Sequence, residues 1–249
     1  MAARDIVMIT GGASGIGAAT ATRLARRLAV VIADRDLAAA ERLSTRLNQD
    51  GGETFAVAMD VTSGAAVRQA VARISRDIGP VRYLFSNAGI NIRQNIEDIT
   101  LADWNAMMNT HVRGGFLAAQ AVLPRMLADR RGGIVFTSSD FAVIGMARGA
   151  AYAAAKTALY SLAKSLALEC APFGVRVNAI GPGPIDTPLL RNRPAPEWQQ
   201  AQERFARIVP MRRLGTPDEV AACVDFLLSE RASFVNGQLL HPNGGQVMW

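Results

Sequence analysis

The sequence has few cysteines, no long apolar run and no low-complexity tract, and each shortage excludes a class of protein. Its two cysteines, Cys170 and Cys223, lie in apolar helical patterns and predict no disulfide framework, which favours a reducing cytoplasm. Apolar runs such as Ile6–Ile9 are far shorter than the roughly 20 residues of a membrane span. The first residues lead straight into that run, so we expect no signal peptide and no membrane partner. Half of the residues are hydrophobic (50%), which argues against disorder.

Lysine is almost missing as well, although the chain is basic. Of the 27 basic residues only two are lysine, and the formal net charge is +6. The arginines are scattered singly and in pairs, with acidic residues between them and without interleaved aromatic residues. Because a nucleic-acid interface needs a clustered basic surface, we do not expect nucleic acid as a partner. No metal site is predicted.

Short β-branched runs alternate regularly with longer stretches of helical periodicity. Continuous apolar strands alternating with helices predict parallel strands that are buried on both faces. The sequence therefore predicts an α/β fold: one domain, residues 1–249, with a Rossmann-like, doubly wound, seven-stranded parallel sheet and helices on both faces. The predicted strands are Ile6–Thr10, Ala29–Ala33, Thr54–Met59, Val81–Ser86, Gly133–Ser138, Val175–Ile180 and Phe234–Leu240. The predicted helices are Ala18–Arg27, Leu37–Asn48, Ala65–Ile78, Leu101–Ala128, Ala150–Ala171 and Pro217–Ser229.

One long segment, Gly181–Gly215, does not fit the alternation. It carries five prolines between Pro182 and Pro196 and is expected to be irregular. Long loops in compact domains are usually functional, so we expect a substrate lid over about residues 183–215.

A glycine-rich turn follows the first strand and opens the first helix. Glycines at this place let the backbone approach a pyrophosphate, whose charge then meets the free N–H groups and the positive end of the helix. The spacing is Gly-x-x-x-Gly-x-Gly, and its position between strand and helix argues against a purely structural turn. The residues expected to bind a dinucleotide here are Gly11, Ser14, Gly15, Ile16 and Gly17.

An acidic residue ends the second strand, and it bears on the choice of cofactor. Asp34 can accept hydrogen bonds from both ribose hydroxyls of an adenosine and repels a 2′-phosphate, which favours NAD over NADP. Arg35 follows directly and could receive a 2′-phosphate if Asp34 swung away, so NADP stays open. Further cofactor contacts are expected at the ends of the third and fourth strands, at Asp60, Val61, Asn87, Ala88 and Gly89.

A serine, a tyrosine and a lysine form the candidate reactive group. Ser139 closes the fifth strand, and Tyr152 and Lys156 are four residues apart, which places both on one helix face. A phenol titrates near ~10, and an ammonium beside it is expected to lower that pKa and make the phenol a useful acid or base. The serine hydroxyl can hydrogen-bond a substrate oxygen as charge develops there.

These motifs together resemble the short-chain dehydrogenases/reductases, in the single-domain branch of about 250 residues, along the whole chain. The matching motifs are Thr10–Gly17, Asp60-Val61, Asn87–Gly89, Ser139, Tyr152–Lys156, and Asn178–Gly183 followed by Thr187. The resemblance implies hydride transfer between a nicotinamide and a carbinol carbon, with Tyr152 exchanging the hydroxyl proton and Lys156 also holding the nicotinamide ribose. It implies further cofactor contacts at Pro182, Gly183, Ile185 and Thr187. It also implies a homotetramer with Leu101–Ala128 and Ala150–Ala171 at one interface.

The sequence departs from the family pattern at one catalytic position. Where the family usually has an asparagine that shapes a water relay to the lysine, this chain has His111. The imidazole can carry the relay itself, because it both donates and accepts. Alternatively it is a spacer while water does the work, or catalysis is impaired. A second, minor departure is Ser86, where the family often has asparagine.

The substrate is the least defined part of the sequence interpretation. By family analogy Phe141, Arg148 and Leu189 contact a small alcohol or ketone in a largely apolar pocket. Arg148, Arg191 and Arg193 either hold an acidic substrate or are solvated lid residues of an arginine-rich protein, and an uncharged aryl carbinol, polyol or sugar is equally open. Two alternative functions also remain, an NAD-binding regulatory protein without turnover and an NADP-dependent 3-oxoacyl reductase.

Overall fold

The computed structural model describes residues 4–191 and 195–248, and the described strands form one parallel sheet. The order across the sheet is third, second, first, fourth, fifth, sixth and seventh strand, and each neighbouring pair is parallel. This confirms the predicted Rossmann-like, seven-stranded sheet. The strands are β1 (Ile6–Thr10), β2 (Ala29–Asp34), β3 (Glu53–Ala58), β4 (Val81–Ser86), β5 (Gly132–Thr137), β6 (Val175–Ile180) and β7 (Leu239–Leu240).

Helices connect the strands and cover both faces of the sheet. They are α1 (Gly15–Leu24), α2 (Leu37–Gln49), α3 (Gly64–Asp77), α4 (Leu101–Met108), α5 (Gly114–Ala128), α6 (Ala150–Cys170), α7 (Pro188–Arg191), α8 (Ala195–Ile208) and α9 (Pro217–Leu227). Single 3₁₀ turns lie at Ile96–Asp98, Asp140–Ala142, Ala171–Phe173 and Glu230–Ala232. None of the helices in the described part of the chain is long and apolar enough to cross a membrane.

Two apolar layers hold the helices on the sheet, one on each face. Alternate strand residues such as Met8 and Leu84 pack with α3, α5 and α6, whereas their neighbours Ile9 and Phe85 pack with α1, α2 and α9. All four of these side chains are fully buried. Because both faces of the sheet are covered, the strand sequences are continuous apolar runs.

Three predicted elements were wrong in part. The expected strand Phe234–Leu240 is reduced to Leu239–Leu240, and Phe234 itself is fully exposed, because the apolar run lies at the sheet edge rather than inside it. The expected helix Leu101–Ala128 is interrupted by a π-helical turn at Asn109–Arg113. The segment expected to be irregular carries α7 and α8. Its prolines did not prevent these helices because Pro188 and Pro196 lie in their first turns, where no N–H is needed.

The strand order determines where a crevice forms at the carboxyl ends of the strands. The chain leaves β1 toward β2 on one side and reaches β4 on the other, so the connections diverge between β1 and β4. Ligands of open parallel sheets bind outside the carboxyl ends of the strands at this switch point. The loops that follow β1 and β4 meet there.

Candidate active site

A cleft opens at the carboxyl ends of the strands and collects most of the predicted site residues. Residues that follow β1 to β6 line it, together with residues of α6, the π-turn and the segment after β6. The predicted residues that line it are Gly11, Ser14, Gly15, Ile16, Asp34, Arg35, Asp60, Val61, Asn87, Ala88, Gly89, His111, Ser139, Phe141, Tyr152, Lys156, Pro182, Gly183, Ile185, Thr187 and Leu189.

Among the residues that the structure describes, three with a predicted or possible site role do not line the cleft. Gly17 lies beneath the glycine turn, where a Cβ would collide with the carbonyl oxygen of Gly11, so its smallness serves packing. Arg148 lines a neighbouring hollow instead, in a left-handed backbone conformation with φ 58°. Arg191 forms a two-pronged ion pair with Asp186. Arg193 lies outside the described residues.

The glycine turn presents backbone rather than side chains to the cleft. Gly11 and Gly15 have positive φ values of 61° and 51°, and a Cβ on Gly11 would lie 2.8 Å from the Cα of Ala88. Ser14 begins α1 without capping the helix through its side chain, so the first-turn N–H groups of α1 lack a side-chain acceptor. These groups and the positive end of the helix dipole make an anion site.

The carboxylate of Asp34 ties the turn to the end of β2. Its two oxygens accept hydrogen bonds from the backbone N–H of Ala13 and of Asp36, both at 3.0 Å. Each oxygen keeps further lone pairs for a ligand hydroxyl. Arg35 lines the same rim of the cleft.

The carboxylate of Asp60 is also fixed by its own loop. Its Oδ1 accepts from the backbone N–H and the hydroxyl of Thr62, both at 2.8 Å, and these bonds lower the pKa of Asp60. Asp60 is therefore an ionised acceptor beside the cleft at neutral pH.

Thr10 joins the ends of β1 and β4. Its hydroxyl accepts the backbone N–H groups of Asn87 and Ala88 at 3.0 and 3.1 Å, and Asn87 Nδ2 donates to the carbonyl of Gly11 at 3.0 Å. The two loops that flank the switch point are thus held as one unit.

Tyr152 and Lys156 project from the same face of α6 toward Ser139, as the sequence predicted. The Lys156 Nζ lies 5.5 Å from the centre of the Tyr152 ring and donates to the carbonyl oxygen of Thr137 at 2.8 Å. Ser138 Oγ donates in turn to the carbonyl of Lys156 at 2.8 Å. The lysine is therefore fixed between α6 and the end of β5.

The expected lowering of the phenol pKa is not met in this geometry. Burial raises the pKa of Tyr152 to about 12, with a smaller opposing effect from its contact with Ser139. Burial also lowers the pKa of Lys156 to about 7. Desolvation is the largest effect on both pKa values, and the hydrogen bond from the ammonium goes to the Thr137 carbonyl. Tyr152 is consequently protonated at neutral pH.

His111 is buried and neutral. It lies in the π-turn with 2% of its surface exposed, and its ring contacts the Tyr152 ring edge-on at 5.8 Å between centroids. Nε2 lies 2.8 Å from the Ile90 carbonyl oxygen, whereas Nδ1 is buried without a partner among the described residues. Burial and the charge of Lys156 lower the pKa of His111 to about 3. Nε2 also lies 3.2 Å from the backbone N of Ile90. In the tautomer whose Nε2–H donates to the Ile90 carbonyl, Nδ1 can accept a hydrogen bond, and the low pKa makes the imidazole uncharged at neutral pH.

Arg93 lines the substrate end of the cleft from the loop after β4, within the segment Asn91–Asn95 where family analogy allows substrate contacts, and its charge acts to lower the pKa of Tyr152 against the larger effect of burial. Sequence reasoning missed two other residues there, and one of them, Gln246, comes from the C-terminal segment. Phe205 comes from α8, the helix that was not predicted because the segment is rich in proline. The amphipathic spacing within α8 was the available signal for Phe205. No local pattern marks Gln246, because only the fold brings the C-terminal segment to the cleft.

Comparison with known proteins gives the family. Residues 11–246 match the family model described as enoyl-(acyl carrier protein) reductase. The chain is 36% identical over 249 residues to 2-(S)-hydroxypropyl-CoM dehydrogenase 3 of Xanthobacter autotrophicus, covering 98% of this chain and 96% of that one. It is 35% identical to levodione reductase of Leifsonia aquatica, covering 97% and 93%. The chain belongs to the short-chain dehydrogenases/reductases of about 250 residues.

Solved structures agree with this assignment. A gluconate 5-dehydrogenase from Burkholderia cenocepacia in complex with NADP and tartrate superposes with a TM-score of 0.92 at 32% identity, covering 97% of this chain and 94% of that one. A 3-ketoacyl-(acyl-carrier-protein) reductase from Brucella melitensis complexed with NADH gives a TM-score of 0.90 at 33% identity and covers 98% of both chains. The protein is thus an enzyme, an oxidoreductase that acts on CH–OH groups with a nicotinamide cofactor.

Proposed function

We propose that this enzyme is an NAD-dependent oxidoreductase that interconverts a secondary alcohol and its ketone, with Tyr152 as the general acid and base. The observation that carries the proposal is the meeting of Ser139, Tyr152 and Lys156 in the same cleft as the uncapped start of α1 and Asp34.

The residues of the cleft fit a dinucleotide. The first-turn N–H groups of α1 would hold the pyrophosphate, because the Gly11 and Gly15 backbone leaves room for close approach. Asp34 would hold the adenosine ribose, and Asp60 and Val61 would flank the adenine. Asn87 to Gly89, Pro182, Gly183, Ile185 and Thr187 would flank the nicotinamide end. The bound nicotinamide supplies the hydride acceptor or donor.

Each reactive residue has a proton role that its environment supports. In the direction of reduction the phenol of Tyr152 gives its proton to the ketone oxygen as that oxygen gains negative charge, and its raised pKa keeps this proton available at neutral pH. In oxidation the same oxygen takes the hydroxyl proton. Lys156, as an ammonium, stabilises the phenolate that forms, and Ser139 hydrogen-bonds the substrate oxygen.

Of the three interpretations of His111, the contacts favour the relay. Its Nδ1 is buried without a hydrogen-bond partner among the described residues and is an acceptor when Nε2–H donates to the Ile90 carbonyl, and the charge of Lys156 helps to lower the pKa of the ring. We propose that Nδ1 accepts a hydrogen bond from a water that leads to the Lys156 ammonium. The imidazole then works as a neutral acceptor and not as an imidazolium.

NAD is favoured over NADP by the position of Asp34. Its carboxylate is fixed by two backbone N–H groups, so it cannot swing away from a 2′-phosphate without losing both bonds. A phosphate at that place would meet a fixed negative charge, with Arg35 as the nearby opposing cation. The related structures cited above contain NADP in one case and NADH in the other, so the preference is a proposal for this chain. It also argues against an NADP-dependent 3-oxoacyl reductase.

Two substrate classes follow from the cleft and its surroundings. Phe141, Met146 and Leu189 give the substrate end an apolar wall, which suits an uncharged secondary alcohol. The adjoining hollow, which shares Phe141 and Met146 with the cleft, is lined by three arginines and one acidic residue, so its excess of positive charge would suit the acidic tail of a longer substrate; these residues are Arg93, Arg148, Arg204 and Glu197. Arg191 is excluded from that role by its ion pair with Asp186. A loss of turnover for carboxylated but not neutral alcohols in Arg148→Ala would select the second class.

Lid, assembly and compartment complete the proposal. We propose that α7 and α8 form the lid of the single domain, since Leu189 and Phe205 reach the cleft from them. A homotetramer would cover the exposed apolar side chains of Phe116 on α5 and Leu168 on α6.

Both cysteines are free thiols, which fits a reducing cytoplasm. The assembly proposed above is tested separately. Sedimentation of the purified enzyme measures the assembly.

The proposed function is tested by Tyr152→Phe with a panel of alcohols and ketones and both cofactors. We expect wild type to change absorbance at 340 nm with NAD or NADH, and the variant to lose at least a hundredfold in turnover. The variant should still gain thermal stability from NAD, since the cofactor contacts remain. Binding of NAD by wild type without turnover on any of these substrates would favour the regulatory alternative instead.

A further inference from the structure

Asp140 is a buried carboxyl group that the proposed mechanism does not use. It follows Ser139 directly in the 3₁₀ turn after β5, lines the cleft and is 1% exposed. Its Oδ1 accepts the hydroxyl proton of Ser139 at 3.1 Å, and its Oδ2 has no hydrogen-bond partner among the described residues. A buried carboxylate with an orphaned oxygen is costly, so this group needs an explanation.

The contact with Asp140 decides what Ser139 can offer to a substrate. The Ser139 oxygen accepts the backbone N–H of Phe141 at 3.2 Å, and its only proton points to Asp140. A hydroxyl has one proton. While Asp140 is ionised, the Ser139 proton is held by the Asp140 carboxylate, and the Ser139 oxygen accepts from Phe141 and contacts Tyr152, so Ser139 cannot donate to a ketone oxygen.

A neutral Asp140 reverses this arrangement. A protonated carboxyl can donate to the Ser139 oxygen, which frees the serine proton for the substrate oxygen. A carboxylic acid kept neutral by an apolar site is a known hydrogen-bond donor in catalysis. Burial favours the neutral form here and raises the pKa of Asp140 to about 6.

We propose that Asp140 is a positioning residue that sets the direction of the Ser139 hydroxyl: the acid turns its proton toward the substrate and the carboxylate turns it away. This inference rests on the proposed function, since it assigns the control of one of its hydrogen bonds. The titratable and charged groups around it are Tyr152 and Lys156 on α6, His111 in the π-turn and Arg93 after β4; Asp34, Arg35 and Asp60 line the cofactor end of the cleft.

The test is the pH profile of ketone reduction in wild type, Asp140→Asn and the control Asp77→Asn. Asp77 is an exposed carboxylate at the end of α3, outside the cleft. We expect kcat/KM of wild type to fall at least tenfold as pH rises through about 6, because a donor to a developing oxyanion is typically worth ~10²-fold or more. This fall should persist in Asp77→Asn and vanish in Asp140→Asn, whereas the separate fall near pH 7 that the pKa of Lys156 predicts should remain in all three proteins. A purely structural role would lower activity equally at every pH.

A double-mutant cycle with Ser139 tests the coupling itself. In a Ser139→Ala background, Asp140→Asn should cause no further change in kcat/KM or in its pH profile. Equal effects of Asp140→Asn with and without the serine would overturn the proposal, as would an Asp140→Asn variant whose kcat/KM still falls through about pH 6 as in wild type.

A measurement without turnover separates this inference from the proposed function. Carbon NMR of the Asp140 carboxyl in wild type should report a pKa near 6, and Ser139→Ala should raise it, because the serine hydrogen bond stabilises the carboxylate. If wild type turned over no alcohol or ketone, the proposed function would fail while this titration still tested the coupling. If the pKa of Asp140 is the same in wild type and in Ser139→Ala, this inference is refuted while the proposed function is unaffected.

Discussion

Asp140 also makes the stability of the protein depend on pH in an unusual direction. Burial raises the pKa of this carboxyl from 3.8 to about 6 in the folded protein. Between those values the unfolded chain loses its proton while the folded protein keeps it. The folded state therefore binds more protons, and the contribution of this group to stability is present in acid and is lost as pH rises through about 6.

The size of the effect follows from the shift. Each pKa unit corresponds to about 1.4 kcal/mol, so the shift from 3.8 to about 6 is worth on the order of 3 kcal/mol. The perturbation is Asp140→Asn, which keeps the shape and removes the titration. The free energy of unfolding of wild type relative to this variant should fall by about 2–3 kcal/mol between pH 4 and pH 7, since part of the loss already occurs below pH 4.

The assay is urea unfolding of both proteins at matched concentration across this pH range, since the difference cancels all groups that both share. Asp77→Asn serves as the control of opposite sign, because the Arg76 contact lowers the pKa of Asp77 and its carboxylate stabilises at higher pH. A difference between wild type and Asp140→Asn that stays constant from pH 4 to pH 7 would refute the assigned burial of the charge.

Three further predictions concern the cofactor, the packing around His111 and its charge. Asp34→Ser should raise kcat/KM with NADP relative to NAD by at least tenfold, because it removes a fixed negative charge, and steady-state kinetics with both cofactors checks this. Gly89→Ala should lower stability by about 1–3 kcal/mol, because the new Cβ would lie 2.5 Å from His111 Cε1. Gly145→Ala is its control in thermal melting, since nothing lies within 4 Å of that Cβ. His111→Gln should leave the pH dependence of kcat/KM unchanged between pH 5 and 8, because the imidazole is already neutral there. A change of kcat/KM with pH that wild type shows in this range and the variant lacks would contradict this.

The sheet could be predicted from the sequence because its strands are buried on both faces. β1, β4 and β6 have the predicted bounds, and the glycine turn, Tyr152 and Lys156 lie in the cleft as expected. Local periodicity fixes these positions, since a helix sets which residues share a face.

The sequence predictions were wrong where the structure depends on contacts between distant parts of the chain or on the exact position of a proline. The prolines of the lid predicted an irregular segment, but proline in a first turn is compatible with α7 and α8. The π-turn that buries His111 is followed by Gly114, where a Cβ would lie 2.9 Å from Val61, and helical periodicity does not show such a close approach. The direction of the Tyr152 pKa depends on how much water the fold excludes, which the spacing of two side chains cannot tell.

The two hydrogen bonds between β5 and α6 have a consequence for how this scaffold could be redesigned. Lys156 is held by the main chain of Thr137, and its own carbonyl is held by Ser138. No side chain of α7 or α8 takes part in either bond. Libraries for altered substrate choice can therefore vary Leu189 and Phe205 freely while the ammonium keeps its place, which makes these helices the natural target of directed evolution.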